Sequence, residues 1–583
     1  MRITNRIMRN NSLYNINQNK ILEDKLSNQM TNQSKITRPS DDPVVAIRAL
    51  RLRTNVTMVS QYYDKNTEDA DSWLSITGDA LDTVGAVLTD LYKQVEDASK
   101  KSLTSADLDI ILTQINALTK EFYASGNVDY AGRYVFAGFR TDTPITFTEE
   151  NIKEFNKDPN NTQSYMIEET LGYKDISSIS YTDWQKTPGF VKDDETQITN
   201  TTLYRFRLSY DNLDFDENIA SINSNGVALG ADGNPALDAN NNPVGNHIMQ
   251  FSLGGASIPG QIDIYESAEE AYQAVAADTT GQKVAYIPST GEIVFGEAYY
   301  NDSLKVNENI QLTVKYTKST WEEGDINPVH YFHCISTDQQ HAQDAMGLDK
   351  AKMDLEVAQG DLKRAEADST TPPAQLDLLR QAVEDAQTVV NNIMNNVIEY
   401  NLEGANQDIY YAMGFNQDIQ VNTTANEVFT HGAQRDADDF KIYLKQLQDV
   451  ETAISDIETK MKEYAEDTPE YKDLSLQLDA ANKAYTYVRE NVQKKFENQI
   501  TKYQSYIDDA NVAVTDNGTR RSRLELIQNR LMNQKATFKD LQSANEDVDV
   551  TEVAVQLKSS ELTYEAALAA TSKIMQTNLM NYI

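Results

Sequence analysis

The stretch KITRPSDDPVVAIRALRLR, residues 35–53, carries a signal to end one helix and to begin another. Pro39 lacks an N–H and keeps the residue before it out of the α-helical region, so a preceding helix ends by this point. The serine and two aspartates that follow can accept hydrogen bonds from the first N–H groups of a new helix, and Pro43 suits its first position. We call this segment the restart turn. Its residues are Arg38, Pro39, Ser40, Asp41, Asp42 and Pro43.

Apolar side chains recur at helical spacing on both sides of this turn and again near the end of the chain. Steps of three and four residues are typical of coiled-coil seams, and steps of seven keep one helix face apolar. Three sets follow these rules. The N-terminal stripe is Ile7, Tyr14 and Ile21; the C-terminal stripe is Leu541, Val548, Val555, Leu562 and Ala569; the core seam is Leu74, Leu81, Val84, Leu88, Leu91 and Val95. We expect long helices at both ends of the chain, and we assign the two stripes to assembly.

The middle of the chain has a different composition. Residues 146–340 are rich in Thr, Tyr, Asn and Gly, and runs such as IQLTVKYT favour strands. Residues 345–400 contain two Ala/Leu seams interrupted by STTPP, which predicts a helical hairpin. The predicted fold class is therefore multidomain α+β, with a helical bundle or coiled coil formed by the N- and C-terminal segments and a large β-rich insert that carries the hairpin. The predicted domains are 1–40 with 545–583, 41–145 with 426–544, and 146–425.

Charge and cysteine content exclude several classes of protein. The 583 residues include 52 basic and 89 acidic side chains, a net charge of −37, which argues against nucleic-acid binding. A single cysteine rules out an intramolecular disulfide framework. The N-terminus lacks the apolar core of a Sec-type signal peptide, and no run of about 18 apolar residues predicts a membrane-spanning helix.

The two ends of the chain carry opposite charge. Residues 1–53 contain ten basic and four acidic side chains, whereas residues 541–583 contain two basic and six acidic ones. Two solvated faces would explain this pattern. Alternatively, the ends meet within one molecule or between neighbours, where opposite charge helps to set the pairing.

The strongest candidate for a metal site is NPVHYFHC, with His330, His333 and Cys334. Residues three apart on a strand point to opposite faces, and no second His/Cys cluster supplies further ligands, so we expect strand residues here rather than a zinc site. The sequence also lacks a phosphate-binding loop, a nucleophile elbow and a His-Glu-x-x-His motif. We therefore expect no enzyme activity, no cofactor and no bound metal.

Several motifs together resemble one protein family. TRPSDDPVVAIRALRLRT, DADSWLSITGDALDTV and GRYVFAGFRTDTP are similar to the N-terminal region of the hook–filament junction proteins of the flagellin superfamily. GTRRSRLELIQNRL and the segment from NEDVDVTEVAV to NLMNYI resemble their C-terminal region. The likeness covers about residues 1–145 and 505–583. Flagellin itself is the alternative within the superfamily, but it typically has Ala-Lys-Asp-Asp-Ala-Ala-Gly where this chain has the restart turn.

The resemblance implies a structural subunit of the bacterial flagellum that is exported through the flagellar type III apparatus without a cleaved signal peptide. It implies a ring or tube of identical copies between hook-associated protein 1 and flagellin, and a flagellar export chaperone during secretion. Nucleic acid and membrane are not expected as partners. A self-contained coiled-coil adhesin or scaffold is the alternative outside the superfamily.

The thin N-terminal stripe bears on the state of the tails before assembly. Three large apolar residues cannot bury enough surface to hold a helix by themselves. We therefore expect the tails, residues 1–40 and 545–583, to be disordered in the monomer and to fold when neighbouring copies supply the missing surface. The restart turn would then separate a tail helix that neighbours order from an outer helix that folds within the monomer.

Overall fold

The computed structural model describes residues 2–157, 163–187, 190–216, 218–223, 227–229, 249–254, 261–306, 310–338, 341–367, 371–401 and 407–576. The family-like motif at residues 578–583 lies outside this set. Thirteen helices are described: α1 Arg2–Asn32, α2 Pro43–Gln61, α3 Thr67–Ala98, α4 Ser105–Ala124, α5 Glu149–Phe155, α6 Ala268–Ala276, α7 Glu297–Tyr299, α8 Ala342–Ala367, α9 Pro373–Met394, α10 Ala425–Val428, α11 Gly432–Met461, α12 Pro469–Glu546 and α13 Val550–Gln576.

Short strands fill the region between the helical ends. They are β1 Asp129–Tyr130, β2 Arg133–Tyr134, β3 Gln163–Gly172, β4 Ser177–Asp183, β5 Gln185–Thr187, β6 Phe190–Val191, β7 Thr199–Arg207, β8 Ser221–Ile222, β9 Met249–Gly254, β10 Ile262–Ile264, β11 Val284–Ile287, β12 Glu292–Phe295, β13 Gln311–Lys318, β14 His333–Asp338, β15 Val397–Tyr400, β16 Tyr410–Gly414 and β17 Gln417–Gln420.

The chain forms two compact units. Unit 1 consists of Met1–Leu74, Tyr410–Val421 and Thr519–Ile583; unit 2 consists of Ser75–Ile409 and Asn422–Gly518. Unit 1 therefore combines both ends of the chain with one short internal hairpin, β16–β17. The domain bounds given above stay a prediction.

Unit 2 contains the β-rich insert. A six-stranded sheet has the order β4-β7-β12-β11-β10-β8, and a five-stranded antiparallel sheet has the order β15-β14-β3-β13-β9. Helices α8 and α9 pack together and connect the antiparallel neighbours β14 and β15. The base of this hairpin is buried, because Leu348 lies in one apolar cluster with Met166, Ile335 and Val397 of the five-stranded sheet. The predicted α+β fold, with helical terminal segments and a β-rich insert carrying a helical hairpin, is confirmed.

Helix α3 shows how the periodic pattern becomes packing. All six side chains of the core seam have no exposed surface. Their alternating steps of three and four residues place them on one face, and polar residues occupy much of the opposite face. Burying each such side chain contributes roughly 1.5–3 kcal/mol, so this helix does not depend on neighbouring copies.

A cluster of buried charges joins strands β7 and β12 to helices α11 and α12 within unit 2. Arg205 donates from Nη1 to Glu292 Oε1 at 2.7 Å and from Nη2 to Asp439 Oδ2 at 2.7 Å. Lys495 and Arg207 also pair with the Asp439 carboxylate. Burial alone would raise the pKa of Asp439, but these three cations hold it well below its usual value. The cluster fixes the six-stranded sheet on the two helices.

Candidate assembly surface

The restart turn separates α1 from α2 in unit 1. Helix α2 begins at Pro43, and Asp42 occupies its N-cap in an extended conformation. The Asp42 carboxylate accepts hydrogen bonds from the backbone N–H of Val44 at 3.0 Å and of Val45 at 3.1 Å. The chemistry read from the sequence is thus the chemistry that starts the helix.

The first half of the turn has its own hydrogen bonds. The backbone N–H of Asp41 donates to Arg38 O at 3.0 Å, with Pro39 and Ser40 between them, as in a β-turn. The Asp41 carboxylate accepts from the N–H of Arg38 at 2.8 Å and of Thr37 at 3.1 Å. These two bonds lower the pKa of Asp41, the bond from Arg38 having the larger effect. The turn is therefore closed by its own residues.

The chain just before the turn is held by the end of α12. The N–H of Lys35 donates to Glu546 O at 2.8 Å, and the N–H of Val548 donates to Gln33 O at 3.2 Å. Lys35 Nζ donates to Ala544 O at 2.5 Å. We call residues 33–36 with 544–548 the clasp. It joins two segments that lie some 500 residues apart in the sequence.

An ion pair connects the middle of α2 to the same clasp. The Arg53 guanidinium donates to both carboxylate oxygens of Glu546, at distances of 2.5–3.0 Å. Glu546 is buried, whereas 60% of the Arg53 side chain is exposed, so the pair contributes little through charge alone. Its bidentate geometry nevertheless fixes orientation. The hydrogen bonding of Arg53 to Glu546 also raises the pKa of Arg53.

A second helix break lies at the clasp. Residues 547–549 separate α12 from α13. The carboxylate of Asp549 accepts from the N–H of Thr551 at 2.9 Å and of Glu552 at 3.2 Å, so it caps α13 as Asp42 caps α2. The apolar repeat from Leu541 to Ala569 continues through this break, and sequence reasoning missed it. The signal that could have revealed it is the aspartate at the N-cap.

Helices α1 and α13 pack on each other beyond the clasp. On α1 the inward face buries Ile16 and Leu26, whereas Ser12, Asn19 and Glu23 on the same face are half-buried and polar. The inward positions of α13 alternate in steps of four and three residues. They are Val553, Leu557, Ser560, Tyr564, Ala567 and Thr571. This seam is thin, because few large apolar side chains close it on the α1 side.

Both predicted stripes point away from that seam. Tyr14 is 64% exposed, and it lies two residues, about 200° around the helix, from buried Ile16. Val555 is 66% exposed and lies two residues from buried Val553. Leu562 and Ala569 likewise lie two residues from buried Ser560 and Thr571, and Ile21 lies two residues from half-buried Asn19 and Glu23. The exposed members are Ile7, Tyr14 and Ile21 on α1, and Val555, Leu562 and Ala569 on α13, while Leu541 is exposed on α12 and Val548 is half-buried in the clasp. The paired tails therefore carry apolar rows on opposite outer faces.

The residues considered for a metal site have other roles in unit 2. Burial lowers the pKa of His330 to about 4 and raises the pKa of Cys334 to about 12. His333 lies between two carboxylates, with Nδ1 3.3 Å from Glu168 and Nε2 3.1 Å from Glu399. The hydrogen bond to Glu168 raises the pKa of His333 most. Over the described residues, no group of three or more His, Cys, Asp and Glu side chains has the geometry to hold a metal ion.

The longest helices are also too polar to cross a bilayer. Wherever the structure describes the chain, no helix combines the length and the apolar character that a membrane span requires.

Comparison with known proteins identifies similarity to flagellar proteins, as the sequence motifs do. Residues 3–141 match the family model for the bacterial flagellin N-terminal helical region. Flagellar hook-associated protein 3 of Escherichia coli K12 is 29% identical over 154 residues, which is 26% of this chain and 48% of that protein. The protein of the same name from Salmonella typhimurium LT2 is 27% identical over 143 residues, 24% of this chain and 45% of that protein.

The chain thus spans about half the length of the curated relatives that it matches. A crystal structure of the flagellar junction protein FlgL from Legionella pneumophila aligns over 86% of this chain and 100% of that chain, with 10% identity and a TM-score of 0.24. A score this low does not establish a shared arrangement of the whole chain. The curated relatives of this chain are named flagellar hook-associated protein 3, and its residues 3–141 are similar to the flagellin N-terminal helical region.

Proposed function

We propose that this chain, whose residues 3–141 form a flagellin-type N-terminal helical region, is a structural subunit of the bacterial flagellum. It forms the junction between hook and filament by self-assembly through its terminal helices. Its neighbours along the axis are hook-associated protein 1 on one side and flagellin on the other. It reaches this site through the flagellar type III apparatus, with an export chaperone, and has no enzymatic role.

One observation carries this proposal: the N-terminal stripe and the α13 members of the C-terminal stripe, Val555, Leu562 and Ala569, are exposed on opposite outer faces of the α1–α13 pair. When the α1 stripe of one copy packs on the α13 stripe of the next, each copy uses two different surfaces. Such a contact repeats from copy to copy and produces a ring or a tube. Each large apolar side chain buried in it contributes roughly 1.5–3 kcal/mol.

The charges of the two ends support the same pairing. Helix α1 carries Arg6, Arg9, Lys20 and Lys25 on its exposed surface, whereas the segment from Glu546 to the end of the chain is acidic overall. Contact between unlike ends is favoured over contact between like ends, because it brings opposite charges together. Association should therefore weaken as salt concentration rises.

The restart turn has a defined role in this assembly. Both helix breaks meet at the clasp, so α1 and α13 form one arm that joins the rest of unit 1 through residues 33–42 and 547–549. The arm can change its direction there without disturbing the core seam of α3. This would suit a joint between a bending hook and a stiffer filament.

The double variant Tyr14→Ser with Ile21→Ser tests the proposal. We expect the thermal unfolding of the purified protein to stay unchanged and self-association, measured by sedimentation velocity, to be lost. Ile110→Ser on α4 is the matched control, because Ile110 is equally exposed, at 60%, but lies outside the stripes. Undiminished association of the double variant would refute assembly through the α1 stripe.

A flagellin-like filament subunit is the second candidate, because the matched family model describes flagellin. Immunogold labelling separates the two. Label confined to the distal end of the hook supports the junction, whereas label along the filament supports the flagellin-like role.

A further inference from the structure

We propose that Phe415, at the tip of the β16–β17 hairpin, docks on the exposed face of α2 of a neighbouring copy. This inference rests on the proposed assembly and adds to it a second contact, made by unit 1 outside the tails. Phe415 is 90% exposed, more than any other large apolar side chain that the structure describes.

The hairpin that presents Phe415 is anchored on both sides of its tip. Met413 and Ile419 flank the turn and are buried to at least 99%. Asn416 adopts the left-handed conformation at φ +55°, which asparagine tolerates better than most residues and which closes the two-residue loop. A tip fixed in this way loses little conformational freedom on binding.

Two side chains tie the hairpin to the helices of unit 1. Asn66 Nδ2 donates to Ala412 O at 2.7 Å, and the Arg530 guanidinium donates to the Gln417 side chain. Asn66 ends a π-helical turn, Tyr62–Asn66, that joins α2 to α3. Single π turns inside long helices often accompany functional sites. Here the π turn holds the hairpin through Asn66, and Phe415 at the hairpin tip is exposed to solvent.

The receiving surface is the outward face of α2, which we call the α2 row: Val44, Ile47 and Leu50. Each is more than half exposed, whereas the small residues Ala46 and Ala49 of the same helix are buried. Helix α2 therefore packs inward with alanines and presents its large apolar side chains to solvent. Such a row is a surface that a partner covers.

The charges beside the α2 row and beside Phe415 are complementary, which supports Phe415 as the side chain that docks there. Arg48 and Arg51 are exposed beside it, and the ion pairs of the described residues include neither. Asp418 is exposed three residues after Phe415 on the hairpin. Docking thus places a carboxylate next to guanidinium groups around an apolar centre, which is the usual anatomy of a specific interface.

The contact requires two copies. The π turn beside the hairpin lies some 17 residues along a continuous helix from Ile47, which corresponds to about 25 Å. Phe415 therefore cannot reach the α2 row of its own chain. We infer a head-to-tail contact, in which the hairpin of each copy meets the row of the next.

Disulfide trapping in the full-length chain tests this geometry. In a Cys334→Ala background, Phe415→Cys and Ile47→Cys are made separately and together. We expect oxidation to cross-link a mixture of the two single variants into dimers and to leave each single variant monomeric. The double variant should form a ladder of dimers, trimers and larger species. A double variant that stops at dimers would show two-fold pairing and would overturn the head-to-tail contact.

A second measurement does not depend on cysteine chemistry. Phe415→Ser should weaken association at least about tenfold, as loss of a central aromatic anchor does. Phe190→Ser, at an exposed phenylalanine in unit 2, is the control and should have no effect. Asp418→Arg should weaken association, and Arg51→Asp in the same chain should restore it.

The outcomes separate this inference from the assembly on which it rests. If the Tyr14→Ser/Ile21→Ser variant loses association while Phe415→Ser and the cysteine variants behave as the parent, the tails assemble the protein and the docking of Phe415 is wrong. If the parent chain does not associate under any condition, both proposals are overturned.

Discussion

Deletion of residues 1–34 tests the division between arm and core most directly. The deletion removes α1 and the first two clasp residues, Gln33 and Ser34, and leaves Lys35, the restart turn and every residue of unit 2 in place. From the inward seam it removes buried Ile16 and Leu26. At roughly 1.5–3 kcal/mol for each large apolar side chain, α13 loses about 3–6 kcal/mol of packing.

The loss should be local. Wherever α1 and α13 are paired before the deletion, we expect the amides of α13 to exchange at least about a hundredfold faster with solvent deuterium after it, since 1.4 kcal/mol corresponds to a factor of ten. Amides of α3 should keep their protection, because the core seam makes none of these contacts. The main thermal transition should shift by less than about 2 °C, and association should be lost.

Hydrogen exchange on the intact monomer is the reference for this experiment. If the predicted disorder of the tails holds, α1 and α13 exchange quickly even before the deletion, and the protection appears only after assembly. Two results would refute the reasoning: loss of the thermal transition of unit 2 after deletion, or association that survives it. Rigid, well-protected tails in the isolated full-length chain would refute the disorder itself.

Three further predictions concern single side chains. Asp439→Asn should lower the free energy of unfolding of unit 2 by about 3–5 kcal/mol in urea, because it leaves buried cations without their counter-charge. In the parent protein, the stabilisation that ionised Asp439 provides should decrease below about pH 4, because folding lowers the pKa of this carboxyl. His333 has a raised pKa, so its bridge between Glu168 and Glu399 should stabilise the hairpin base fully below pH 6.5, its ordinary pKa. This stabilisation should be lost as pH rises through the raised pKa, and the melting temperature of His333→Gln should not show that pH dependence. Asp42→Ala should cost about 1 kcal/mol and speed amide exchange in the first turn of α2, whereas Ser40→Ala should change neither.

Local chemistry made much of unit 1 predictable. Acceptor side chains followed by Pro43 determine where α2 begins without help from distant residues, whereas α1 already ends at Asn32, where Gln33 adopts the left-handed conformation at φ +53°. The burial of the core seam could be predicted in the same way, because its residues have coiled-coil spacing and every member is a leucine or a valine. Such signals need only a few turns of sequence.

The parts that sequence reasoning missed depend on distant residues or on polar ones. The inward seam of the tails contains Ser12, Asn19 and Glu23, so hydropathy drew attention to the opposite face. The break before α13 was hidden by an apolar repeat that continues across it. The ionic cluster joins Arg205, Glu292 and Asp439, which lie on separate elements far apart in the sequence and have no common local pattern.

The clasp has a consequence for the order in which the chain becomes structured. Lys35 finds its partners only at residues 544–548, so a chain synthesised or threaded from its N-terminus keeps unit 1 open until nearly all of it has emerged. All residues of unit 2 precede residue 519, so they have emerged before the partners of Lys35. A molecule that covers the last forty residues while the chain is still unfolded would therefore also keep the first forty available to a neighbouring copy.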